Sequence, residues 1–358
     1  MKRLMLALLL TGLVPATASA QQVTLAIVAP KSGNFETLGN QVRQGAALAA
    51  KGLSLNLVEI HEPCTEGSGP VLADQIKKTG ARAAVGFLCS ESLVGGLPLL
   101  AEAKIPAITL SVRGKVLMED ALKNGWPFFR LAPNSDAEPE KLTEIILRDW
   151  KAEAIALIED GTIRGRELTE AVRLALEARG LKPVFIDTFR PGQENQIALV
   201  RRLKAAGASR VLVGGDRNDI AIIARDAVEE AGAMQFLGGD NMHAPNDPVP
   251  LKNGVRAVTL PEKPFGAAAV EVTKALSEAR ISAEGYVLPA HAAVTLIADA
   301  LGISSAMGLS LPETLVETDF ETALGTLRFG SDRELAKNPF QLMEWDGTNF
   351  VPVVPPAP

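Results

Sequence analysis

The sequence predicts an α/β protein of two doubly wound parallel-sheet lobes with a cleft between them. Three observations carry this. From residue 23 onward, short apolar runs of strand character alternate with segments of helical period. Such βαβα order implies parallel sheets covered by helices on both faces. The order lapses at residues 126–133 and then begins again, which gives a second sheet of the same type.

Residues 23–28 form the first apolar run and 35–51 a helix with apolar residues at helical spacing. An alternating strand is expected at 53–60, then a helix at 70–79 that Gly80 ends. A strand at 83–88, a helix at 92–103 and a strand at 106–110 complete the first series, and 126–133 reads as a non-repetitive bridge. Beyond it, helices are expected at 136–150, 164–179, 195–206 and 219–231, with strands at 154–158, 183–189, 210–213 and 235–237. The tail departs from this order, with helices at 267–279 and 286–301 and late strands at 327–329 and 341–345 that return to complete the earlier sheets. Three crossings then divide the chain into one lobe of 21–133 with 262–333 and another of 134–261 with 334–358. There is no Gly- or Ser-rich linker, so the crossings are read as hinges, and the Pro-rich stretch 352–358 as a fraying end.

Residues 1–20 have the form of an export signal: Lys2 and Arg3, an apolar region from Leu4 to Leu13, and Ala18-Ser19-Ala20 as the cleavage site. No later segment reads as apolar for long enough to span a bilayer, so a soluble periplasmic protein is expected, not inserted in the membrane once the signal is cleaved. The formal charge of −6, more negative by two once Lys2 and Arg3 are removed, argues against nucleic acid and anionic membrane surfaces as partners. An apolar content of 47% is ample for real cores.

In an oxidising compartment the two cysteines, Cys64 and Cys89, are expected to form a disulfide, which for a loop of this length stabilises by roughly 3–4 kcal/mol. His61, His243 and His291 have no mutual ligand spacing, and no phosphate-cradling glycine motif occurs, so neither a metal nor a cofactor is expected. In doubly wound sheets ligands lie at the carboxyl ends of strands. The loops at 30–35, 89–92, 111–113, 159–164, 214–218 and 238–242 are therefore the places to look. At the second of these, the Ser90 hydroxyl and the amides of Glu91 and Ser92 would make a helix amino-terminal anion site. The same residues make an ordinary helix cap, and both readings stand. An enzyme using Ser90 or Cys89 as nucleophile is the poorer reading, since there is no G-x-S-x-G pattern and a disulfide would consume the thiol.

The chain resembles the type I periplasmic binding proteins that serve branched-chain amino acid and related ABC importers. The residues that carry this are Ala29-Pro30-x-Ser32-Gly33 with Gly39 and Gly45, then Gly86-Phe87-Leu88-Cys89-Ser90 with its earlier cysteine, and Phe129-Arg130. Gly214-Gly215, Gly238-Gly239-Asp240, Gly325-x-Leu327-x-Phe329 and Met343-Glu344-Trp345-Asp346-Gly347 follow in order. The resemblance implies a ligand-closing clamp that performs no bond chemistry and delivers a small carboxylate-bearing metabolite to a membrane permease. A ligand-sensing protein of the same fold is the alternative. In leucine-type members the ligand carboxylate is held at positions matching Ser90 and Ser111, Val112 and Arg113, and the ammonium at the position of Asp240. This chain departs from that pattern by placing Arg113 where small or hydroxyl residues are usual, and Arg164 and Arg217 where aromatic residues are. Converging guanidinium groups favour an added carboxylate or an organic acid without the ammonium. Equally, Arg164 and Arg217 have acidic neighbours in Glu159, Asp160, Asp216 and Asp219 with which to pair.

Overall fold

The structure, a computed structural model, describes residues 22–244, 248–316 and 318–353, so the expected signal at 1–20 and the residues from 354 onward lie outside it. The first sheet is wholly parallel. It is built from β1 (Val23–Ala29), β2 (Leu55–His61), β3 (Ala83–Gly86), β4 (Ala107–Thr109) and β5 (Phe128–Arg130), in the order β2-β1-β3-β4-β5. Helices α1 (Glu36–Ala49), α2 (Gly69–Lys78), α3 (Ser90–Leu93), α4 (Leu97–Glu102) and α5 (Lys115–Lys123) connect its strands. The sheet is covered on both faces, as strand β1 shows. Leu25 and Ile27 enter one buried cluster, while Ala26 and Val28 enter another on the opposite side.

The chain then passes through α6 (Ala137–Asp149) to a second sheet of β6 (Ile155–Glu159), β7 (Phe185–Thr188), β8 (Arg210–Gly214), β9 (Gln235–Gly238) and β10 (Arg256–Thr259). Its helices are α7 (Ile163–Glu177), α8 (Ile197–Ala205) and α9 (Arg217–Glu230). Next come α10 (Ala269–Ala279), α11 (Val287–Met307), α12 (Leu311–Leu315), and the short strands β11 (Phe320–Thr322) and β12 (Gly325–Leu327). Residues of α11, β11 and β12 pack into the first sheet's core with Leu25, Val42 and Phe129. Finally β13 (Gln341–Trp345) and β14 (Phe350–Pro352) join the second sheet antiparallel, giving the order β14-β13-β10-β9-β8-β6-β7.

Four expectations are corrected. The helix expected at 92–103 is two short helices, α3 and α4, parted where Gly95 takes φ +72, a conformation that glycine adopts without strain. The bridge expected at 126–133 contains β5, one of the two edge strands of the first sheet. The late strand expected at 327–329 overlaps β12, which pairs with β11 in a two-stranded ribbon and joins neither large sheet. Lastly, α11, with 21 residues, is long and apolar enough to cross a membrane by length and composition, contrary to the expectation that no such segment follows the signal. Ala290, Ala293, Val294 and Ile297 of that helix are instead buried in the first core. Its neighbour α1 approaches so closely that a Cβ on Gly45 would overlap the Val287 carbonyl.

Candidate functional site

Each sheet has a switch point, where strands on either side of the first strand are connected in opposite directions. In the first sheet it lies between β1 and β3, and in the second between β6 and β8. Crevices open outside the carboxyl ends of strands at such points. The candidate residues Ser90, Ser111, Val112 and Arg113 follow β3 and β4, whereas Arg164, Arg217 and Asp240 follow β6, β8 and β9.

Ser90 is exposed and its hydroxyl donates to Glu91 Oε2 at 3.2 Å. The helix it opens is a single turn of four residues, too short to present the dipole of a longer helix. The polypeptide before it is tightly held. The Cys64–Cys89 disulfide joins the β2 exit to the β3 exit, with 5.3 Å between Cα atoms. Fully buried Glu62 accepts the amide protons of Leu88 at 2.8 Å and Cys89 at 3.0 Å. Burial pushes the Glu62 carboxyl up to about 7, against the pull of those two amides. With Cys89 bonded, no thiol is free for nucleophilic chemistry.

Ser111 and Val112 donate their amides to buried Thr109 Oγ1 at 3.3 and 3.0 Å, which shapes the turn leaving β4. The Ser111 hydroxyl accepts from the Tyr286 hydroxyl at 2.7 Å. Val112 is buried with its amide already bonded, so it spaces the turn. Fully buried Arg130 donates from Nη1 to the Arg113 carbonyl at 2.9 Å and from Nη2 to the Gly114 carbonyl at 2.6 Å. Its guanidinium also meets Glu334 at 3.2 Å, which ties the Arg113 loop to the segment that returns toward β13.

Across from these residues, Arg113 Nη2 lies 3.7 Å from Asp240 Oδ2. Asp240 opens a 3-10 turn, Asp240–His243, and its other oxygen accepts the Leu260 amide at 3.1 Å. Beneath it, buried Glu138 of α6 accepts the Asp240 amide at 2.9 Å and pairs with Arg164 at 2.8 Å. Burial raises the Glu138 carboxyl above its ordinary range, with the Asp240 amide and Arg164 opposing. Arg164 also donates to Asn241 Oδ1 at 3.2 Å. A water-sized cavity of about 10 Å³ sits among Glu138, Asp160, Arg164, Gly214 and Gly215. Gly165 is needed at its edge, since a Cβ there would overlap Asp160 Oδ1.

Arg217 does not join this group. It is 2% exposed, and its guanidinium lies 4.9 Å from the Trp345 ring with no acceptor on either Nη. The partner found for Arg164 is Glu138, not the neighbouring acids Glu159 and Asp160. His243, within the same turn, turns inward: its ring meets Glu262 Oε1 at 2.7 Å and the Leu260 carbonyl at 3.0 Å. Sequence reasoning missed Glu62, Glu138 and Tyr286. Glu62, two residues before Cys64, was findable from its place at the strand exit; Glu138 has the appearance of a routine acid in a helix's first turn.

Two doubly wound lobes whose strand-end loops face one another with polar and charged side chains are the framework of a two-lobed solute-binding protein. The chain belongs to the family described as periplasmic binding protein, whose model matches residues 22–349. It is similar to the Leu/Ile/Val-binding protein homolog 3 of Brucella melitensis, 26% identical, with 94% of this chain and 95% of that protein covered. Among solved structures it is similar in fold to a putative branched-chain amino acid ABC transporter protein from Rhodospirillum rubrum, with TM-score 0.76, 16% identity and coverage of 92% and 99%. It is also similar to a solute-binding protein of an ABC transporter from Rhodopseudomonas palustris HaA2 in complex with p-hydroxybenzoic acid, with TM-score 0.64, 14% identity and coverage of 93% and 96%.

Proposed function

We propose that this is a soluble periplasmic protein that captures a small carboxylate-bearing metabolite, an amino acid or an organic acid, and hands it to the permease of an ABC importer. The lobes are 21–133 with 262–333 and 134–261 with 334–358, and closure between them buries the ligand. The observation that carries this reading is the Arg113–Asp240 pair, which puts a donor from one lobe against an acceptor from the other at 3.7 Å. A ligand carboxylate competes with Asp240 for the guanidinium, and a ligand ammonium competes with Arg113 for the carboxylate. The hydroxyls of Ser90 and Ser111 supply further polar contacts on the first wall, with Val112 as spacer, and Arg164 supplies one on the second. Arg217 supports that wall by packing on Trp345. The names of the similar proteins, one for branched-chain amino acids and one bound to an aromatic acid, support both ligand classes.

A thermal-shift screen with L-leucine, L-glutamate, succinate, benzoate and 4-hydroxybenzoate tests the reading. A true ligand at a hundredfold its dissociation constant stabilises by about 2.7 kcal/mol. The expected result is a raised melting temperature with one or more of these acids, lost in Arg113→Ala. In Asp240→Ala, amine-bearing acids should lose their shift while acids without an amine keep it. A shift from uncharged compounds alone would overturn the assignment.

A further inference from the structure

We propose that Glu62 is a positioning residue for the ligand site, holding the Leu88–Cys89 backbone so that Ser90 is presented to the cleft. The inference rests on Ser90 lining the site, as read above. Glu62 lies at the exit of β2, in a different loop from Ser90, and reaches across with one carboxylate oxygen on each of two consecutive amides. A carboxylate is the side chain suited to this, because both of its oxygens accept. Backbone N–H groups in such a loop otherwise need water or a strand partner. The disulfide does a different job: it tethers the Cys89 side chain to the neighbouring loop, whereas Glu62 holds the two successive peptide planes that carry the Leu88 and Cys89 amides.

The surroundings of Glu62 make its charge conditional. The charged side chain facing it is Glu91, whose repulsion favours the protonated acid. The buried Ser92 hydroxyl, without a hydrogen-bond partner of its own, lies near enough to favour the carboxylate. His61, next in sequence, is exposed and accepts the Lys31 amide. Burial is the largest influence and raises the group to about 7. A protonated Glu62 retains one good acceptor and gains a hydroxyl where an amide proton points, so the brace works fully only as the anion.

This yields two pH responses of opposite sign. A carboxyl whose folded value is raised contributes stability that is fully present below its ordinary value of 4.5 and is lost as pH rises through about 7. Order at Leu88 and Cys89 should increase over the same rise. A residue that only stabilised the fold would move both readouts together.

The test needs no ligand, so its failure is separable from failure of the functional reading. Hydrogen exchange of the Leu88 and Cys89 amides, corrected for intrinsic rates, is measured at about pH 6 and about pH 8, on either side of the Glu62 value, in wild type, Glu62→Gln and Glu62→Asp. Protection in wild type should rise several-fold with pH. In Glu62→Gln, which keeps one accepting oxygen and sets an NH2 donor against the second N–H, protection at the higher pH should be about tenfold lower and independent of pH. Glu62→Asp should recover part of the pH dependence. Melting temperature should fall with pH in wild type and fall less steeply in Glu62→Gln, where the remaining slope is that of Glu334, also raised to about 7 by burial, and of His243. Equal wild-type protection at both pH values overturns the proposal, even if the variants fail to fold. So does a Glu62→Gln protein that keeps the wild-type rise.

Discussion

The loops that carry Ser90 and Asp240 are held in different ways. The loop before Ser90 is fixed by a disulfide and by a fully buried carboxylate bonded to its backbone. The loop carrying Asp240 is held by side chains that other groups share: Glu138 divides its oxygens between the Asp240 amide and Arg164, and Asp240 divides its own between Leu260 and Arg113. One loop is preset, while the other is held by exchangeable charge pairs. In the clamp proposed above, the first serves as a preset wall that lowers the ordering cost of capture, and the second as an exchangeable wall that trades an internal partner for a ligand.

Removing the preset wall's covalent tie should have the largest effect. Cys64→Ser with Cys89→Ser should lower unfolding stability by about 3–4 kcal/mol, read as a lower urea midpoint, since the tie spans 25 residues. An unchanged midpoint would mean that Glu62 alone sets the loop. Glu138→Ala should come next, at roughly 1–3 kcal/mol, because it strands the Asp240 amide and leaves Arg164 without its carboxylate. If Glu138→Ala were neutral, the second wall would be held by the backbone and the contrast would collapse. Tyr286→Phe removes one hydroxyl from the Ser111 pair and should cost about 1 kcal/mol. The smallest effect concerns His243. Burial lowers its proton affinity, but Glu262, Asp240 and the Leu260 carbonyl together raise the imidazole above its ordinary 6.5. That contribution is fully present below 6.5 and fades as pH rises through the folded value. With Glu262 60% exposed, it amounts to under about 1 kcal/mol. Melting curves across this range for wild type and His243→Gln should differ only at the acidic end.

The sequence made most long elements legible. The strand expected at 341–345 is β13 to the residue, and the helix at 70–79 differs from α2 by one residue at each end. What escaped was short. β5 and β10, of three and four residues, offer no period to detect, and α5 follows directly on a candidate loop. The site divides in a similar manner. The candidates Ser90, Ser111, Arg113 and Asp240 could be named because they follow strand ends, which are visible. Glu138 lies 102 residues before Asp240, and Tyr286 lies 175 residues after Ser111, so no local pattern joins them. Arg217 misled because its neighbours are acidic, while Trp345, the ring it packs against, arrives from the far end of the chain.

Leu260 follows β10, where the chain leaves the second sheet. Its amide is bonded to Asp240 and its carbonyl to the His243 ring, so both halves of that residue's peptide bonding belong to a single turn. In the function proposed above, a ligand that pulls the Asp240 carboxylate toward itself must loosen the amide at this exit. Conversely, any rotation at the exit must change how firmly Asp240 can hold a ligand. Occupancy and posture thus share one free-energy term, and by reciprocity each can be measured through the other.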